Sequence, residues 1–72
     1  MRPLLRLQAN LPDNRVALVT LLEHQGVLNL AISNYQGAIK AFQRMRDVAE
    51  ECHDREYEML AYFHLGQTLQ KQ

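Results

Sequence analysis

Residues 33–52 read SNYQGAIKAFQRMRDVAEEC, and this stretch decides the fold. Ala38, Ile39, Phe42, Met45, Val48, Ala49 and Cys52 recur at intervals of 1, 3, 3, 3, 1 and 3. That spacing lines one face of an α-helix, while Lys40, Gln43, Arg44, Arg46, Asp47, Glu50 and Glu51 occupy the other. A helix with a single apolar stripe has to pack against another element. At its start, Ser33 or Asn34 offers a side-chain oxygen to the free amides of the first turn, so a helix is expected over 34–52.

Toward the N-terminus, residues 14–32 carry Ala17, Leu18, Leu21, Leu22, Val27, Leu28, Leu30 and Ala31 at mixed spacings of three and four. The pattern is helical and broad enough to face two neighbours, and Pro12-Asp13-Asn14 is its start signal. Before it, Leu4, Leu5, Leu7, Ala9 and Leu11 fit a short helix over 1–11. Toward the C-terminus, His53-Asp54 breaks the pattern and Asp54 is the expected cap of a last helix over 55–71. Its stripe is Tyr57, Leu60, Ala61, Leu65 and Leu69. Alternation of apolar and polar residues never persists long enough for a half-buried strand, and there is no Asn-Gly or Asp-Gly turn, so the fold class is all-α.

With 72 residues the chain is at most one small domain or a piece of a larger one. Its 47% hydrophobic and 22% charged residues are the balance of a folding chain and not of a disordered tail. Eight Lys plus Arg against eight Asp plus Glu leave a formal net charge of +0, which excludes the basic footprint of nucleic-acid and anionic-membrane binders. Cys52 is the single cysteine, so no internal disulfide can staple so small a core. A lone thiol, together with a start that lacks the apolar run of a secretory signal, points to the cytoplasm. The longest apolar runs, such as Val16 to Val19, fall far short of the roughly 20 residues that cross a bilayer.

Shifted against itself by 40 residues, the chain superposes Arg6 on Arg46, Ala9 on Ala49, Arg15 on Arg55, His24 on His64 and Gly26 on Gly66. His-x-Gly thus recurs at one place in two expected helices. A glycine inside a helix costs about 1 kcal/mol relative to alanine, and close helix packing is the reason to keep it. Self-similarity at a period of 20–50 residues is the mark of a solenoid, whose units bury their apolar faces by stacking.

These residues resemble the tetratricopeptide repeat (TPR), whose pattern is Trp-x2-Leu-Gly-x2-Tyr in helix A and Ala-x3-Phe in helix B. Tyr62-x2-Leu65-Gly66-x2-Leu69 is similar to the first half and Ala38-x3-Phe42 to the second. The earlier helix A departs from the pattern, with Leu22 at the aromatic position, Gln25 for leucine and Asn29 for tyrosine around Gly26. The tract Ala49 to Arg55 resembles the longer repeat of about forty residues in G-protein-signalling modulators and kinesin light chains. The resemblance implies antiparallel helical hairpins stacked as a TPR-like α-solenoid fragment: the end of a helix B (1–11), helix A (14–32), helix B (34–52) and the helix A of the next repeat (55–71). In that phase Leu65 and Leu69 await a helix B. The chain is then a fragment or short isoform of a larger scaffold, or it covers the open face by self-association through its last helix.

The resemblance also implies the contact surface. Helix A lines the concave side of such repeats, and contacts come from residues six, three and two before the glycine and one and four after it. Here those are Thr20, Glu23, His24, Val27 and Leu30, then Leu60, Phe63, His64, Gln67 and Gln70. The expected partner is a peptide or helix of another protein, with Phe63 among aliphatic residues as an anchor. Members that clamp a carboxylate use Lys three before the glycine and Asn just after it. Glu23 and Val27 stand there instead, which argues against a clamp. Histidines facing a ligand would make binding vary between pH 5 and 8.

No catalytic or cofactor site is expected. The sequence has no nucleophile with an assembled base, no glycine-rich phosphate loop and no ligand set of metal-binding spacing, and adjacent Cys52 and His53 cannot both face one ion on a regular helix. Cys52 is read as a buried small hydrophobe, and Tyr35, Phe42 and Tyr62 as core. Glu50, Glu51, Asp54 and Glu56, partly offset by Arg55 and by Lys or Arg from neighbouring turns, are read as a solvated acidic junction.

Overall fold

The computed structural model describes residues 13–72, and in these the chain forms three helices: α1 (Asp13–Ala31), α2 (Tyr35–Glu51) and α3 (Arg55–Lys71). There is no strand among the described residues. The short helix expected over 1–11 lies outside them. The chain is all-α, and successive helices run antiparallel: Arg15 of α1 reaches Glu51 of α2, Gly26 meets Phe42 and Asn29 bonds Asn34, so positions rise along one helix as they fall along the other. α1 and α3 each pack along α2 and meet each other at only a few points.

The two reversals are built alike. Ser33 and His53 adopt left-handed backbone, with φ of 63° and 56°. That turn aims the Ser33 N–H at the Leu30 carbonyl (3.0 Å) and the Asn34 N–H at the Asn29 carbonyl (2.7 Å). Likewise the His53 N–H meets the Glu50 carbonyl (3.1 Å) and the Asp54 N–H the Ala49 carbonyl (2.9 Å). This pair of bonds is the Schellman arrangement, which satisfies carbonyls that a helix end leaves free. Glycine is the usual residue at its left-handed position; here serine and histidine carry the strain. The next residue then caps the following helix. Asn34 accepts from the Gly37 N–H (3.2 Å) and Asp54 from the Tyr57 N–H (3.1 Å). Three residues thus end one helix, reverse the chain and start the next.

Val19 and Leu22 of α1, Ala38, Phe42, Met45 and Val48 of α2, and Ala61 and Leu65 of α3 form one buried cluster. Val19, Phe42 and Met45 are fully buried, which stabilises the fold by about 1.5–3 kcal/mol for each such side chain relative to leaving it in water. Phe42 is the hinge of the packing. On one side its ring fills the gap over Gly26, where a Cβ would stand 2.3 Å from Cε1. On the other it stacks on the His64 imidazole, with centroids 4.7 Å apart and planes at 9°.

Several expectations need correction. The stripe read on α1 omitted Val19, which is at the centre of the core, and included Leu21 and Leu28, which are exposed. α1 is apolar on most sides, so periodicity marks a helix there without choosing the buried face. On α3, Thr68 is buried where Leu69 was expected, and Leu69 is exposed. The Thr68 hydroxyl donates to the His64 carbonyl (2.9 Å), which removes the penalty for burying it. Leu65 packs in the existing core instead of awaiting another helix. Gly66 meets nothing within 4 Å, so close packing explains Gly26 and not its counterpart.

The aromatic residues also divide differently. Phe42 is core, Tyr35 is half-buried, and Tyr62 is 49% exposed. The Tyr62 hydroxyl donates to Glu50 (3.4 Å) and its ring lies 5.8 Å from the Arg46 guanidinium. At the junction read as solvated, Asp54 is only 3% exposed, and the cation beside Glu51 is Arg15 of α1, at 3.8 Å. Cys52 is half-buried at the end of α2, against the core cluster.

Candidate binding face

The ten residues expected to line a contact surface fall on α1 and α3, and one contact decides how those helices meet. Glu23 Oε2 of α1 and His64 Nε2 of α3 are 2.8 Å apart, their side chains 26% and 13% exposed. The imidazole donates Nε2–H to the carboxylate, a role open to the neutral Nε2–H tautomer and to the cation alike. Because His64 also stacks on Phe42, the bridge sits directly above the core. It joins α1 to α3, which meet at only a few points.

Around that bridge the helical period of about 3.6 residues distributes the others. Thr20 and Val27 lie one step round α1 from Glu23, and Leu60 and Gln67 one step round α3 from His64. Thr20, Leu30 and Leu60 are half-buried, the two leucines against the core. Val27, Phe63 and Gln67 are exposed. Phe63 is 58% exposed, its ring tilted 58° to the His64 ring with centroids 5.7 Å apart. These eight residues, the bridging pair included, combine a hydrogen-bonded polar centre with apolar flanks and one exposed aromatic ring.

The remaining two, His24 and Gln70, are exposed. The two histidines that superpose at an offset of forty therefore differ in use, for His64 pairs with Glu23 while His24 faces solvent. Among the described residues, no three His, Cys, Asp or Glu side chains come together as a metal would require. No helix among them is long and apolar enough to cross a membrane.

Sequence reasoning missed two exposed apolar stripes. Leu21, Leu28 and Ile32 line the side of α1 away from α3, and Met59, Tyr62, Phe63 and Leu69 line the outer side of α3. The breadth of the apolar pattern on α1 was the available signal. On α3 the signal was a second set at spacings of three and four, interleaved with the buried one. Beside this face Arg46 bonds Asp47 (3.1 Å from Nη2), and that bond holds the guanidinium pKa above its usual value against the opposing effect of burial.

The class that this geometry defines is an all-α chain of three successive antiparallel helices with α1 and α3 side by side on α2. Comparison with family models, curated proteins and solved structures finds no match to the chain.

Proposed function

We propose that this chain is a non-catalytic protein-interaction module, a TPR-like pair of helical repeats that presents the α1–α3 face to a peptide or helix of another protein in the cytoplasm. The observation that carries this reading is an exchange of faces at an offset of forty. Val19, Leu22 and Gly26, which α1 turns to the core, fall on Met59, Tyr62 and Gly66, all exposed on α3. In the other direction Ala61, Leu65 and Thr68, buried on α3, fall on Leu21, Gln25 and Leu28, all exposed on α1. Two helices of one repeating unit, each meeting α2 by a different side, have this property; two helices of a closed bundle have no reason to.

The contact surface is the Glu23–His64 centre with Val27 and Phe63 beside it. A rigid aromatic next to aliphatic residues supplies anchoring area, and the hydrogen-bonded Glu23–His64 centre supplies polar register. A second reading, a structural segment that assembles through its last helix, is favoured by the exposed outer side of α3.

The test is partner capture from cytosol with three forms of the chain: wild type, Val27→Glu, and Leu28→Glu as a control on another face of α1. A partner lost from Val27→Glu and retained by Leu28→Glu supports the α1–α3 face. Equal capture by all three forms, at equal helicity, refutes it.

A further inference from the structure

With histidine counted as neutral, Glu23 is the one charged side chain of α1 between Val16 and Ala31. Thr20 and Val27 stand one step along its own helix, and Leu60 and Phe63 lie beside its partner His64 on α3. Only half of its carboxylate is satisfied. Oε2 accepts from His64 Nε2–H at 2.8 Å, whereas Oε1 has no hydrogen bond or ion pair among the described residues.

The cations of the described residues stand elsewhere. Arg15 is engaged with Glu51 and Arg46 with Asp47. Lys40 and Arg44 lie two residues either side of the buried Phe42, about 200° round α2 and so on the side away from the core, where both are exposed. Arg55 is nine residues from His64, about two and a half turns, and hence on the opposite side of α3. Lys71 shares the His64 side but stands about 10 Å further along the axis, a Debye length at ordinary ionic strength. Glu56, exposed one turn before Leu60, adds a second negative charge to the same side of α3. The contact surface is therefore acidic at its centre and toward the start of α3, with apolar flanks.

We propose that the occupant of this surface is a segment of another protein that sets an arginine between apolar residues, the guanidinium bonding Glu23 Oε1 while its neighbours cover Val27, Leu60 and Phe63. This rests on the reading of the face as a contact surface and names what that surface selects. Apolar side chains laid over Val27 and Phe63 strip water from Oε1. Without a donor the oxygen loses its hydration and gains nothing, whereas a cation restores the loss with a charge-assisted bond. Arginine serves better than lysine, because its guanidinium is more weakly hydrated than an ammonium. A carboxylate, or an unbroken apolar stretch, is rejected at the same point, so Glu23 is the specificity-determining residue.

Selection of phage-displayed random dodecapeptides tests this on three forms of the chain. They are wild type, Glu23→Gln, which removes the charge at equal shape, and the neutral double variant Val27→Gln, Phe63→Gln, which removes the apolar flanks. Peptides selected on wild type and lost from the double variant are expected to carry arginine between apolar residues, and selection on Glu23→Gln to enrich apolar peptides that lack it. Exchange of that arginine for glutamine in the peptide is expected to weaken binding to wild type about tenfold, a measurement that needs no variant of the protein, and to change binding to Glu23→Gln far less. Selected peptides that need Val27 and Phe63 but carry no cation overturn this inference and leave the contact surface in place. Basic peptides that bind wild type and Glu23→Gln equally overturn it too. Peptides indifferent to Val27 and Phe63, or no selected peptide at all, overturn the contact surface and this inference together.

Discussion

Gly26→Ala and Gly66→Ala are the same chemical change at positions forty apart, and the structure gives them opposite signs. Within a helix the exchange is worth about 1 kcal/mol of stabilisation, because glycine spends more backbone entropy on folding. At Gly66 nothing stands within 4 Å of the added methyl group, so that gain is realised in full. At Gly26 the new Cβ would lie 2.3, 2.5 and 2.8 Å from three atoms of the Phe42 ring. The ring cannot swing clear, because it is fully buried and stacked on His64. Overpacking of this kind costs about 1–3 kcal/mol, which leaves Gly26→Ala net destabilising by about 1 kcal/mol. Since 1 kcal/mol moves the midpoint of so small a domain by about 4–8 °C, thermal melts followed by circular dichroism should shift down for Gly26→Ala and up for Gly66→Ala. Melts at low micromolar concentration keep any pairing through α3 out of the comparison. Adding Phe42→Leu to Gly26→Ala removes the ring atoms that clash, so the double variant should be more stable than the sum of its single changes. Equal shifts of one sign at both glycines, or additivity in the double variant, would refute the account of Phe42 as a ring held between Gly26 and His64.

The reversals and the bridge give two more tests. Asp54→Ala removes a buried cap and is expected to cost about 1–2 kcal/mol, more than Asn34→Ala at an exposed one, whereas Ser33→Gly relieves a left-handed serine and should add up to about 1 kcal/mol; urea melts rank all three, and a destabilised Ser33→Gly would contradict the turn geometry. A double-mutant cycle with Glu23→Gln and His64→Gln should show a coupling of about 1 kcal/mol at neutral pH, against none between Glu23→Gln and His24→Gln, and equal couplings would remove the bridge from the argument.

What the sequence made legible depended on how one-sided each helix is. α2 has a single apolar stripe, and Ala38, Phe42, Met45, Val48 and Ala49 from that stripe are buried. The caps Asn34 and Asp54 were equally readable, since a side-chain acceptor one residue before a periodic stretch has few other roles. α1 and α3 were legible as helices and ambiguous as faces. Leu21 and Val19 fit a buried stripe on α1 equally well, and Leu69 and Thr68 compete on α3; packing against α2 decides both cases. The Glu23–His64 contact joins residues 41 apart in sequence and has no local signature. A shared position on two expected helices pointed at His24 with His64, whereas the geometry selects the carboxylate one residue earlier.

That ambiguity is itself informative about function. A helix whose apolar residues outnumber what one neighbour can cover is an error in an isolated bundle, because exposed leucine and phenylalanine promote unspecific association. In a stack of repeats the same surplus is required, since each helix A meets a neighbour on two sides. Leu21, Leu28 and Ile32 on α1 and Met59, Tyr62 and Leu69 on α3 are exposed residues that the proposed reading would assign to such contacts.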